Sequence, residues 1–266
     1  MVTLEDYQIG VANAWCPGCG NFYMLDAMKT ALVELGLEPY QVLMVSGVGQ
    51  AGKFPHYLKC NTFNGLHGRT LPPATAAKIA NHELVVIAIG GDGDGYGEGG
   101  NHFLHAMRRN INITYMVHNN QVYALTKGQA SPTSDVGLVT KATPQGVFSR
   151  PVNPLALAIA AEATFVARGY AGDKEHLAGL IVKGIQHNGF SLIDVLQPCP
   201  SWNLKNTYKW YRERVYRIDE KEYDPGDKTK AFLKAQEWGD RIPIGIIYEE
   251  ERPSFTEYLP ALKEKP

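Results

Sequence analysis

The sequence predicts an α/β fold, a doubly wound and mostly parallel sheet with a C-terminal arm. Three observations predict it. Residues 84–89, 113–118 and 190–196 are short, largely apolar runs, as expected of strands buried on both faces. Between the first two, residues 98–109 bring Phe103, Leu104, Ala106 and Met107 round at roughly helical spacing. Each of those two runs then ends in a short polar motif, Gly91-Asp92-Gly93-Asp94 and Asn119-Asn120, with Asp92 and Asn120 28 positions apart. Strand ends that open into one crevice are where ligands sit in such sheets.

The elements follow in order. Residues 21–37 read as a helix that buries Met24, Leu25, Met28, Leu32 and Leu35 along one face. Residues 42–45 are a short strand that runs into Gly47 and Gly49. Residues 72–80 are rich in alanine behind two prolines, a helix start. From 122 to 151 Gly, Ser, Pro and Thr are dense and no core face is visible. A loop of that length in a compact domain is usually functional, here as a cover over cofactor and substrate or as a contact with another subunit. Residue 154 opens an alanine-rich helix to about 165. Residues 173–187 form another helix, with Leu177, Leu180, Ile181 and Ile185 inward, and 190–196 are the last buried strand. After Cys199, Trp202, Tyr208, Trp210, Tyr211 and Tyr216 lie among many charges. A helix at 228–238 and an edge strand at 242–248 complete an arm, so the expected division is a domain over 1–200 and an arm over 201–266. The arm packs on the domain or on a partner subunit.

Composition excludes several classes. At 266 residues the chain can bury one large core. A formal charge of −1 gives no electrostatic case for nucleic acid or an anionic membrane surface. No apolar run approaches the roughly 18 residues of a membrane helix, and residues 1–10, with Glu5 and Asp6, lack a signal pattern. A cytoplasmic protein is expected.

The paired motifs carry the chemistry. Mg²⁺ takes near-octahedral oxygen ligands, some of them from phosphate. Asp92 offers a carboxylate, Asn120 an amide oxygen and Val122 a backbone carbonyl, while Gly91 and Gly93 let the chain approach a diphosphate closely. The chain has four cysteines, Cys16, Cys19, Cys60 and Cys199. In a reducing compartment disulfides are disfavoured. The Cys16-Pro17-Gly18-Cys19 turn aims two thiols at one point, and four thiolates suit a [4Fe–4S] cluster or a structural zinc. A third reading leaves Cys60 and Cys199 as inert buried thiols.

A GDG motif followed at this distance by NN resembles the thiamine diphosphate signature. Together with Trp15-Cys16-Pro17-Gly18-Cys19-Gly20-Asn21, Leu66-His67-Gly68-Arg69 and the run from Leu125 through Thr126 to Thr133, it resembles the β subunit of the 2-oxoacid:ferredoxin oxidoreductases. Four motifs in family order cover residues 15–199. The resemblance implies a thiamine diphosphate-binding domain of the diphosphate type, with Mg²⁺ and one [4Fe–4S] cluster. It implies CoA-dependent oxidative decarboxylation of a 2-oxoacid to acyl-CoA and CO₂, with electrons passing through the cluster to ferredoxin.

The resemblance also assigns roles. Lys53 matches a lysine that holds the substrate carboxylate, His67 faces the diphosphate or ring, and Leu125 lies beside the substrate. Apart from the resemblance, Asp94, next in the diphosphate loop, is read as orienting water or a backbone amide or as a solvated turn aspartate, and Thr126 as a donor to a phosphate oxygen. Where the family carries its third cluster cysteine this sequence has Gln50, so Cys60 is expected to replace it beside Cys16, Cys19 and Cys199. The glutamate that activates the aminopyrimidine belongs to an α subunit, so the chain should be inactive alone. Substrate choice stays open among pyruvate, 2-oxoglutarate and other 2-oxoacids, with the GVGQ and FNGLHGR runs leaning toward 2-oxoglutarate. Competing readings are a non-oxidative thiamine-dependent decarboxylase or lyase subunit with a structural zinc, and a nucleotide-binding regulatory module.

Overall fold

The computed structural model describes residues 1–263. In chain order the main elements are α1 (Asn21–Glu34), β1 (Val42–Ser46), β2 (Asn61–Asn64), α2 (Leu71–Ala80), β3 (Val85–Gly91), α3 (Gly100–Arg109), β4 (Ile113–Asn119), the short β5 (Val122–Tyr123) and β6 (Gln129–Ala130), α4 (Pro154–Ala160), β7 (Phe165–Tyr170), α5 (Lys174–Gln186), β8 (Phe190–Leu196), α6 (Tyr208–Arg212), β9 (Val215–Arg217), α7 (Lys228–Ala235), β10 (Ile242–Glu249) and α8 (Pro260–Lys263). Eight strands form one sheet in the order β2-β1-β3-β4-β8-β7-β10-β9, and β5 pairs with β6 separately. The six strands from β2 to β7 are parallel. β10 runs antiparallel to β7, and β9 follows the direction of β10.

Alternation along the strands builds a core on each face. Met116, Ile193 and Val195 point into a layer with α1 and α5, where Met24, Met28, Leu32, Leu177 and Ile181 are buried. Their neighbours Tyr115, Val117, Phe190 and Leu192 point the other way, against Leu71, Phe103, Met107 and Leu155 of α2, α3 and α4. Burial of each such side chain contributes roughly 1.5–3 kcal/mol. Helix starts are set by side chains: Asn153 caps α4, Asp173 caps α5 and Asp227 caps α7.

Three features differ from the sequence expectation. The helix from 154 ends at Ala160, and Phe165–Tyr170 is a central strand whose six residues are all buried. Arg168 breaks its apolar run, which hides it from pattern reading. β2, Asn-Thr-Phe-Asn, is an exposed polar edge strand. β10 is not an edge strand: β7 flanks it on one side and β9 on the other, so residues 215–217 form the edge. Residues beyond 200 thus extend the sheet itself, and Ala231 and Ala235 of α7 join the second core. Among the described residues no helix is long and apolar enough to cross a membrane.

Candidate active site

The register of β3 and β4 sets the site. Gly91 pairs with His118, so Asp92 and the Asn119-Asn120 pair leave adjacent strands side by side at the carboxyl rim. Gly91, Asp92, Asn120, Val122, His67, Leu125 and Thr126 line one cavity there. Asp92 is buried, and that burial pushes its carboxyl above the ordinary range. Opposing this, the hydroxyls of Ser131 and Thr133 donate to Oδ2 at 2.5 and 2.6 Å. Thr133 Oγ1 also lies 2.9 Å from Asn119 Oδ1. Its single proton belongs on the carboxylate, the stronger acceptor.

Asn120 Oδ1 accepts from the Val122 N–H at 3.1 Å, and the Asn120 carbonyl accepts from Asn203 Nδ2 at 3.1 Å. Gln121 between them has φ +61°, a conformation that L side chains rarely adopt. It is fixed by its own amide, which donates to the Thr133 carbonyl at 2.7 Å and accepts from Tyr211 Oη at 3.3 Å. A Cβ at Gly93 would sit 2.3 Å from the Tyr123 ring, whereas at Gly91 nothing comes nearer than the His118 carbonyl at 4.0 Å, which leaves that approach open. Among the described residues no three His, Cys, Asp or Glu side chains gather round one ion position. The donors at the rim are one carboxylate, one amide and one main-chain carbonyl, which fit a hard cation that takes its remaining oxygens from phosphate and water.

Asp94 does a different job from Asp92. It is buried and accepts from the Val48 N–H (3.0 Å), the Gly68 N–H (2.8 Å), Thr70 Oγ1 (3.0 Å) and His67 Nδ1 (2.7 Å). One carboxylate therefore ties the loop after β1 and the start of α2 to the turn after β3. Gly47 is required there, since a Cβ would fall 2.0 Å from Asp94 Oδ2. Held this way, His67 presents its other edge to the cavity while its side chain is 42% exposed. Leu125 is half open to solvent at the cavity wall. Thr126 Oγ1 is engaged by Gln129 Oε1 at 2.6 Å. Lys53 lies on the 3₁₀ helix Ala51–Tyr57 and is not part of the cavity wall.

A second pocket adjoins the first and shares Gln50, Asn120 and Ala124 with it. Cys16, Cys19 and Cys199 line it. The Cys19 thiol is pushed up to about 11 by burial, partly offset by the nearby Asn21 N–H and by Gln197 Nε2, which donates to it at 3.3 Å. Cys199 is likewise raised by burial, which the nearby backbone N–H groups of Trp202, Ser201 and Asn203 partly offset; the Asn203 N–H itself donates to the Cys199 carbonyl at 3.1 Å. Such donors favour sulfur that carries negative charge.

Cys60 does not join them. Asn61 pairs with Leu43 and Asn64 with Ser46, so Cys60 stands at the amino end of the sheet, about 13 Å of strand from the rim. It packs on the α1 face of the core, and burial pushes its thiol up to about 12. The expected grouping of Cys60 with the other three thiols is thus corrected: the residue beside them in the pocket is Gln50.

Behind the rim lies a network that sequence reading did not reach. Asp194 of β8 accepts from Tyr96 Oη at 2.8 Å and Asn119 Nδ2 at 3.1 Å, with Arg168 nearby. Burial raises the Asp194 carboxyl to about 6.

Comparison with known proteins gives this geometry its family. The family model described as "Thiamine pyrophosphate enzyme, C-terminal TPP binding domain" matches residues 43–195. The model for the C-terminal part of the pyruvate ferredoxin oxidoreductase beta chain matches residues 199–264. A 2-oxoacid:ferredoxin oxidoreductase subunit beta from Saccharolobus solfataricus is 51% identical over 257 residues, 92% of this chain and 84% of that protein. The chain belongs to the β subunits of the 2-oxoacid:ferredoxin oxidoreductases. Within that family, the Mycobacterium tuberculosis 2-oxoglutarate oxidoreductase subunit KorB is 46% identical over 199 residues, covering 75% of this chain and 53% of that one. The solved 2-oxoglutarate:ferredoxin oxidoreductase from Magnetococcus marinus, with 2-oxoglutarate, coenzyme A and succinyl-CoA bound, superposes with a TM-score of 0.95 at 35% identity, over 98% of this chain and 90% of that one. As a 2-oxoacid:ferredoxin oxidoreductase subunit, the chain has an eight-stranded, mostly parallel α/β sheet whose fold matches that of this neighbour.

Proposed function

We propose that this β subunit binds thiamine diphosphate through Mg²⁺ at Asp92, Asn120 and the Val122 carbonyl, and an iron–sulfur cluster at the adjoining thiol pocket. With an α subunit it converts a 2-oxoacid, 2-oxoglutarate by preference, and coenzyme A to acyl-CoA and CO₂, passing electrons to ferredoxin. One observation carries the reading: the oxygen-donor cavity and the cysteine pocket share the wall formed by Gln50, Asn120 and Ala124. A decarboxylating centre and an electron acceptor need that proximity, and a non-oxidative lyase does not.

Thiamine diphosphate, when bound, supplies the electron sink that lets a 2-oxoacid lose CO₂. The protein's part is positioning and electrostatics. Ser131 and Thr133 fix the Asp92 carboxylate, which would hold the cation. Gln121, locked in its left-handed conformation, sets Asn120 and Val122 side by side. Asp94 holds His67 at the cavity wall, where it would face the diphosphate, and Leu125 and Val48 limit water at the mouth. The aminopyrimidine half is assigned to the α partner, for which the exposed apolar side chains Val136, Val139 and Phe148 of the 122–151 loop offer a surface. Preference for 2-oxoglutarate rests on the names of the mycobacterial relative and the Magnetococcus marinus structure. Four free cysteines and a ferredoxin partner suit a cytoplasmic setting.

The test is viologen or ferredoxin reduction by the reconstituted complex across a panel of 2-oxoacids, with and without coenzyme A. The expected result is CoA-dependent reduction, fastest with 2-oxoglutarate, and none from the β chain alone. Turnover by the β chain alone, or equal rates without coenzyme A, overturns the proposal.

A further inference from the structure

We infer that the cluster of this chain is held by three thiolates, Cys16, Cys19 and Cys199, and that Gln50 stands at its fourth corner, so that one iron has an amide oxygen in place of a thiolate. The inference rests on the iron–sulfur reading above and changes what that site is.

Three observations point to Gln50. It lines the pocket with the three cysteines, and no fourth sulfur is there. Its backbone is pinned in place: the Gln50 carbonyl accepts from Trp15 Nε1 at 2.9 Å and from Asn21 Nδ2 at 3.4 Å, which ties it to the segment carrying Cys16 and Cys19. And its side-chain oxygen, Oε1, is buried without a hydrogen-bond partner; Gln197 Oε1 on the same wall is orphaned too, but that amide is already committed through Nε2 to Cys19. Leaving such an acceptor unpaired costs about 1–3 kcal/mol, and a buried orphan of this kind commonly marks an ion or water that belongs there. The remaining thiol cannot compete, because Cys60 is at the opposite end of β2.

Donors near two of the sulfurs partly offset the burial that raises their thiols. Gln197 Nε2 donates to Cys19 at 3.3 Å, and backbone N–H groups of residues 201–203 lie near Cys199. The fourth corner has a neutral oxygen instead, a weaker and harder ligand than thiolate. The iron facing Gln50 is consequently the one that leaves first. When a one-electron oxidant such as ferricyanide takes one electron from the [4Fe–4S]2+ state, one Fe2+ departs and [3Fe–4S]+ remains, with all four sulfides retained.

The experiment uses the anaerobically purified complex. Iron, acid-labile sulfide and electron paramagnetic resonance spectra are compared for wild type, Cys60→Ser, Gln50→Cys and the Cys16→Ser/Cys19→Ser double variant, the last identifying which signals belong to this site. Cys60→Ser is expected to keep its iron, sulfide and reduced spectrum. Ferricyanide should release one Fe2+ per cluster from wild type, trapped by a ferrous chelator, with the spectrum of a three-iron cluster appearing. Gln50→Cys should lose both the release and that signal. Loss of the cluster in Cys60→Ser, or oxidative release in Gln50→Cys equal to that in wild type, overturns the assignment of Gln50 while leaving the iron–sulfur reading in place. Absence of iron and sulfide from this site in wild type, before and after reconstitution, overturns both.

Discussion

Thr133 follows Asp92 by 41 positions, yet its hydroxyl approaches the Asp92 carboxylate to 2.6 Å. With Ser131 at 2.5 Å, it turns a buried acid into an oriented oxygen donor. Removal of residues that orient a ligand typically costs 10–100-fold in metal affinity. Ser131→Ala and Thr133→Val should each weaken Mg²⁺-dependent thiamine diphosphate binding by about 10–100-fold, read by calorimetry on the complex, with the fold intact.

The two aspartates of the turn after β3 should separate by what they break. Asp94→Ala leaves the N–H groups of Val48 and Gly68 and the Thr70 hydroxyl without their acceptor. A loss of about 3 kcal/mol or more is expected in urea unfolding of the chain. Asp92→Asn should abolish metal-dependent cofactor binding but change stability by less than about 1 kcal/mol, because burial already disfavours its charge.

Asp194 makes stability depend on pH. Burial holds its carboxyl at about 6 against an ordinary 3.8, so the folded chain binds this proton more tightly than the unfolded one. Its contribution is full below about pH 3.8 and is lost as pH rises through about 6. The gap corresponds to about 3 kcal/mol. Asp194→Asn should remove that fall, so unfolding measured from pH 4 to 7 should show the variant gaining on wild type across the window.

Gln197 should tune the proposed electron acceptor. Its amide donates to Cys19 Sγ at 3.3 Å, and a donor to sulfur stabilises the more negative, reduced state. One hydrogen bond of ~1 kcal/mol corresponds to ~40 mV for one electron. Gln197→Leu should lower the potential of this centre by about that amount in a redox titration of the complex.

Strands β1, β3, β4 and β8 were legible because burial on both faces leaves a run with few polar interruptions. β7 was not, because Arg168 and Gly169 interrupt it; a guanidinium held by main-chain carbonyls and facing Asp194 satisfies a requirement that only the folded sheet defines. β2 is an exposed edge and carries no apolar signature at all. At the site, Asp92, Asn120 and Val122 were visible as a spaced pair of motifs, since parallel strands bring like ends together. Ser131 and Thr133 lie in the Leu125–Thr133 run with no role visible from sequence, because nothing local says that a loop folds back under an acid forty residues earlier. Cys60 shows the opposite failure. Counting thiols assigns it to the cluster, but direction along a strand decides where a thiol can reach, and β2 carries it to the wrong end.

The pairing of β7 with β10 has a consequence for synthesis. Gly245 and Ile246 cover Arg168 and Ala167, yet they are translated more than seventy codons later. Until then a nascent chain leaving the ribosome carries a central strand with one naked edge, the template on which aggregates grow. Chains truncated before residue 242 should therefore precipitate rather than yield a smaller soluble domain, and chaperone demand during translation should drop once that last strand has docked.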